Sequence, residues 1–124
     1  MNALVLSLFA SVLMTQTGLT WVSVDAGEVL VHSDQAGPSS VSVRRVEALE
    51  VLRTEVTVAQ YTRCIQQGGC TAPRAFSAST PTSKRFNFQA PRREAHPVNG
   101  VSWEQSRSFC RWLGGRLPTR LEWL

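Results

Sequence analysis

The sequence predicts an α+β fold in one globular domain, and three observations carry that expectation. Short β-prone runs fill the front of the chain, S/T-x-x-E/Q boxes open helical periods behind them, and glycine pairs follow both helical stretches. Composition sets the scale: 43% apolar and 18% charged residues in a chain of 124 supply one core and exclude a fibrous, disordered or many-domain protein.

The chain opens on Ala3 to Met14 (ALVLSLFASVLM), an uncharged apolar run too short to span a bilayer as a helix and of the length of a signal-peptide core. Residues 1–20 are therefore expected to form a signal peptide cut between Thr15 and Thr20, with the domain proper over 21–124 and no stable membrane span after signal removal. No Lys or Arg precedes the run and no A-x-A site follows it, so a buried amino-terminal strand or helix stands as the alternative.

Trp21 to Val24 and Val29 to His32 read as strands, and Asp25-Ala26-Gly27-Glu28 between them carries the turn chemistry of a hairpin. Gln35 to Ser40 reads as a loop, after which strand-like alternation resumes at Val41 and runs on to Leu52, with extended structure ending near Glu55. Thr57 and Gln60 form a capping box for a helix from Val58 to about Gln67, on which Val58, Tyr61 and Ile65 share a face and Gly68-Gly69 supplies a left-handed stop. Thr71 to Ala95 reads as a long loop anchored by Phe76, Phe86 and Phe88. A second box, Ser102 to Gln105, opens a helix that ends at Gly114-Gly115. Its Trp103, Cys110 and Leu113 share one side, widened by Phe109 and Trp112, and that stripe predicts core packing. A third box, Thr119 to Glu122, follows Pro118. A helix of about five residues beginning there would be marginal in water, so the sequence is expected to be the front of a longer unit.

The charge is 13 Lys and Arg against 9 Asp and Glu, a net +4. Arg44, Arg45, Arg74, Lys84, Arg85, Arg92 and Arg93 lie in polar stretches without a recognition motif or aromatic platform, which reads as solvated surface and not as a nucleic-acid site.

Cysteines stand at 64, 70 and 110, an odd count that leaves one thiol without a partner. Cys64 falls in the last turn of the first helix and Cys70 just beyond the Gly68-Gly69 reversal, so a bridge across this loop is geometrically reasonable; two reduced thiols are the alternative. Closing so short a loop contributes about 2 kcal/mol through chain entropy. Cys110 is either an inert buried thiol or half of a disulfide with a partner elsewhere. A metal site built from Cys64 and Cys70 with His32 or His96 matches no recognised ligand spacing, and both histidines read as structural. No Ser-His-Asp pattern, phosphate-cradling loop or close carboxylate pair stands out, so no catalytic residue is assigned.

The block His96-Pro97-Val98-Asn99-Gly100-Val101-Ser102-Trp103-Glu104, then Phe109-Cys110-Arg111-Trp112-Leu113-Gly114-Gly115-Arg116-Leu117-Pro118-Thr119 and Glu122-Trp123, resembles the signature of the formylglycine-generating (sulfatase-modifying factor) enzyme family. Trp21 to Ser33 is similar to that family's opening strand pair, and Thr54 to Tyr61 to its first helix entrance. The chain departs from the pattern at Val31-His32, where Met-Gly is usual, and at Arg120, Leu121 and Leu124, where Glu-Ala and Glu are usual.

The resemblance implies a partial C-type-lectin-like fold, represented by its amino-terminal portion. It also implies relatives that use oxygen and copper to convert a cysteine of a protein substrate to formylglycine. The two cysteines that carry this chemistry, and the calcium ligands, belong to the family's carboxy-terminal half, so no residue here takes over those roles. The expected product is a secreted or periplasmic chain that lacks the activity by itself and contains no cofactor site. A non-catalytic binding or scaffold domain is the second reading.

Overall fold

The computed structural model describes residues 18–32, 41–73 and 86–124, and these form a small α+β protein with two antiparallel two-stranded sheets and two helices. Two compact bodies divide them: Trp21–Arg53 with Pro118–Leu124, and Thr54–Leu117 with the residues before Trp21. The signal-like run, the loop over 35–40 and Phe76 lie outside the described residues.

The first body is a β-ribbon. Strand β1 (Trp21–Val24) pairs with β4 (Leu49–Leu52), and β2 (Gly27–His32) pairs with β3 (Val41–Val46). Val24 faces Leu49 and Gly27 faces Val46, three positions on in one arm and three back in the other. The register is therefore unbroken, and the two ladders are sections of one long hairpin interrupted at Asp25-Ala26 and Glu47-Ala48.

This corrects the hairpin expected across Asp25 to Glu28, because β1 and β2 follow one another along the same arm and do not pair. Turn-compatible residues permit a reversal without imposing one, and the long register gives partners to far more backbone groups than a tight turn would. Alternation along each arm sends Val22, Val24, Leu30, Val41, Val43 and Val51 to solvent, while Trp21, Val29, Val31, Val46 and Leu52 are half-buried.

The second body is built on helices α1 (Val58–Gln66) and α2 (Trp103–Trp112). Both open with complete capping boxes. Thr57 Oγ1 accepts from Gln60 N at 3.3 Å while Gln60 Oε1 accepts from Thr57 N at 2.9 Å; Ser102 and Gln105 repeat the exchange at 3.2 and 3.0 Å. Both helices close with the same glycine device. Gly68 and Gly114 take positive φ, +76° and +81°, which turns the amides of Gly69 and Gly115 back onto the carbonyls of Cys64 and Cys110. This paired reversal is the Schellman motif, and it satisfies carbonyls that a helix end leaves open.

The core gathers Val58, Tyr61 and Cys64 from α1, Phe109 from α2, and Cys70 and Phe88 from the connection. Ile65 is only partly buried, so Cys64 holds the place on the inner face that the apolar spacing gave to Ile65. On α2 the expected inner side holds at Phe109, Trp112 and Leu113, which meet the core, and fails at Trp103. Gln105 and Phe109 are buried, whereas Trp103 is 61% exposed and lies, at 100° per residue, about 120° round the helix from Phe109. Its ring carries the Arg107 guanidinium 5.4 Å from the centroid instead of packing inward. Trp123 is also exposed, whereas Trp112 is half-buried and packs against the core.

Candidate functional site

The signature residues converge on the entrances and exits of the two helices. A helix begins with amide groups that have no partner within it, and at α1 each of the first three has been supplied with one. Val58 N donates to His96 O at 2.9 Å, Ala59 N to Glu94 O at 2.8 Å, and Gln60 N to the Thr57 hydroxyl. Val98 N returns a bond to Val56 O at 2.8 Å, and Thr57 and Pro97 form a bridge. Glu94 to Val98 are thus a strap that caps α1 through the carbonyls of Glu94 and His96 and pairs through Pro97 and Val98 with the residues before it; the extended geometry that Pro97 favours in His96 suits that role.

Asn87 secures the strap from outside. Its Nδ2 donates to Pro97 O at 2.8 Å, its amide donates to Asn99 Oδ1 at 2.8 Å, and its Oδ1 accepts from Arg93 Nη1. Gln89 and Arg92, at φ of 58° and 61°, make the tight returns between these contacts. Of the two loop anchors among the described residues, Phe88 is buried and Phe86 half-buried.

A second convergence lies where α1 ends. Cys64 and Cys70 are joined, with their Cα atoms 5.3 Å apart, as the glycine reversal between them allows. Immediately afterwards Thr71 O accepts from the Tyr61 hydroxyl at 3.0 Å. Gln105 of α2 reaches the same place: its Nε2 donates to Thr71 Oγ1 at 3.0 Å, to Thr71 O at 3.4 Å and to Ala72 O. Trp112 closes the other side, its Nε1 donating to Gln67 Oε1 at 3.1 Å. Tyr61 and Phe109 stack at 5.7 Å beneath, and Phe109 meets Trp112 at 5.5 Å.

Sequence reading missed Asn87 altogether, and it found Gln105 and Gly69 only in their local roles. Gln105 was visible as a capping residue, but its second set of bonds depends on Thr71 being returned to it by the disulfide loop.

The remaining signature residues also act on shape. Gly114 makes the α2 exit, Arg116 Nη1 donates to Leu117 O at 3.2 Å, and beyond Pro118 the third box forms between Thr119 and Glu122 at 2.7 and 3.3 Å around a turn. His32 and His96 are exposed, and His96 bonds through its backbone.

Chemically this arrangement is quiet. Among the described residues no three His, Cys, Asp or Glu side chains come together to hold a metal. Cys64 and Cys70 are spent on each other, and burial pushes the Cys110 thiol above its ordinary 9.0, away from the thiolate that ligation or nucleophilic attack requires. The copper that the resemblance brings to complete relatives therefore finds no fitting donor set in these residues. Burial likewise raises Tyr61 above 10.0.

Both raised groups are neutral when protonated, so as pH rises through 9.0 the unfolded chain releases the Cys110 proton while the folded chain retains it, and stability falls. The denaturation midpoint is expected to drop between pH 8 and pH 10. Cys110 in the folded chain is also expected to alkylate more slowly at pH 8 than in the unfolded chain; equal rates would contradict the burial.

The pattern of the sulfatase-modifying factor enzyme 1-like domain matches residues 10–124. The chain belongs to this family. Hercynine oxygenase of Mycobacterium tuberculosis is 34% identical over 58 residues, 47% of this chain and 14% of that protein. The formylglycine-generating enzyme of Mus musculus is 52% identical over 31 residues, 25% of this chain and 8% of the relative. The inactive C-alpha-formylglycine-generating enzyme 2 of Bos taurus is 56% identical over 27 residues, 22% and 9% of the two chains. The matched stretches thus span 14% or less of each of these relatives. Within the family, then, a segment of this kind occurs in proteins named as an oxygenase, a formylglycine-generating enzyme and an inactive homologue.

Proposed function

We propose that this chain is the amino-terminal part of an extracytoplasmic sulfatase-modifying factor domain of C-type-lectin-like fold, and that it provides scaffold and not catalysis. The observation that carries this reading is the local chemistry of the signature. The carbonyls of Glu94 and His96 cap α1, Ser102 caps α2, Gly114 ends it, and Cys64 and Cys70 are locked in a disulfide. The complete domain would act on a cysteine-containing protein substrate with oxygen and copper, using residues outside those described. The disulfide supports an oxidising compartment, secreted or periplasmic, which Ala3 to Met14 would direct as a signal.

Incubating the chain with copper, oxygen and a cysteine-containing sulfatase peptide is expected to give no aldehyde; aldehyde formation by this polypeptide alone would overturn the assignment. A non-catalytic binding domain is the second reading, supported by the identity to the inactive bovine relative.

A further inference from the structure

We propose that the Cys64–Cys70 bridge is a redox latch for helix packing: closed, it holds Thr71 and Ala72 as the acceptor shelf on which Gln105 of α2 docks, and opening it releases both the shelf and the helix. The shelf has three supports. The bridge fixes its start, the Tyr61 hydroxyl holds Thr71 O at 3.0 Å, and the reversal at Gly68 aims it back along α1. Gln105 is buried, its Nε2 donates to Thr71 and Ala72 of that shelf, and its Oε1 accepts from Ser102 N at the start of α2. One side chain thus connects the entrance of α2 to the loop that the disulfide closes. Without the shelf, a buried amide would lose the acceptors at Thr71 and Ala72, which disfavours the docked state.

Burial also makes the latch slow to open. Cys64 is 0% exposed and Cys70 8%, so an external thiolate has access only to the Cys70 sulfur, and only when the shelf lifts. Attack there forms a mixed disulfide with Cys70 and expels the Cys64 thiolate, which takes up a proton. A second external thiolate then frees Cys70, and two reductant thiols leave as one disulfide. Closure is the reverse, with a small disulfide as oxidant accepting the two electrons.

By reciprocity, if the bridge secures the seat of Gln105, then Gln105 shields the bridge. The test is the rate at which dithiothreitol opens Cys64–Cys70 in the oxidised full chain under native conditions, followed by mass-resolved alkylation. Gln105→Ala is expected to speed opening about tenfold, the effect of losing a buried hydrogen-bonded amide. Thr57→Ala, a cap loss of similar size at the far end of α1, is expected to leave the rate within about twofold. An unchanged rate in Gln105→Ala would overturn the latch. So would equal acceleration in both variants, since reduction would then follow general unfolding. Measuring within the oxidised chain keeps the result independent of whether the reduced form folds.

Discussion

Phe109→Ala is expected to lower the unfolding free energy by about 3–5 kcal/mol, the range for removing a buried aromatic side chain. Phe109 is 3% exposed and is the buried hydrophobic residue that α2 gives to the core, stacked on Tyr61 and set against Trp112. A core of this size rarely supplies more than about 3–5 kcal/mol, so the substitution consumes most of what holds the helices together. Far-ultraviolet circular dichroism should show the helical signal largely lost at 25 °C, with recovery in a stabilising osmolyte. A variant that melts within a few degrees of the parent would mean that α1 and α2 do not share a core. Trp103→Ala is the informative comparison: it removes a larger ring from the same helix but one that faces solvent, and should change little.

The contrast between Phe109 and Trp103 also marks where the sequence is legible. A capping box is written in four consecutive residues, and so both helix starts, at Thr57 and Ser102, stand where the sequence places them. The glycine exits and the Cys64–Cys70 bridge are equally local, six positions apart or less. Which side of α2 faces inward is not local. Five apolar or aromatic residues crowd that helix and its exit, and only the position of Tyr61 and the disulfide loop selects Phe109 over Trp103. The same limit explains the ribbon: pairing Trp21 with Leu52 is a long-range choice that the turn-like Asp25-Ala26-Gly27-Glu28 cannot reveal.

The strap was legible as a motif yet opaque as a mechanism. His96 and Glu94 act through carbonyl oxygens, which every residue carries, so their side chains give no hint that they cap α1. In this chain the described residues of the signature meet backbone requirements: a proline that extends the strap, hydroxyls that start helices, and glycines that end them. A segment of this kind occurs both in a relative named as a formylglycine-generating enzyme and in one named as inactive.

Gly69→Ala is expected to cost about 1–3 kcal/mol, the penalty of forcing a methyl group into a filled space. Gly69 does not require a positive φ; its neighbour Gly68 does, so the penalty at 69 comes from packing. A Cβ there would stand 2.6 Å from Cδ1 of Trp112, 2.9 Å from Cγ and 3.0 Å from Cβ. A rotamer change can swing Cδ1 and Cγ aside but leaves Cβ in place, so relief of that contact requires α2 itself to move away from the end of α1. That movement would strain the Trp112–Gln67 bond and draw Gln105 off Thr71, which joins the two sides of the helix contact in one response. Gly68→Ala provides the control, since its added methyl group meets no atom within 4 Å and its cost, about 1 kcal/mol, comes from φ alone. Denaturant titration of both variants, with indole fluorescence reporting on Trp112, should show an altered native-state spectrum for Gly69→Ala and an unaltered one for Gly68→Ala. If Gly69→Ala left both the spectrum and the midpoint unchanged, Trp112 would not lie against the reversal, and the close approach of α2 to the disulfide loop would have to be abandoned.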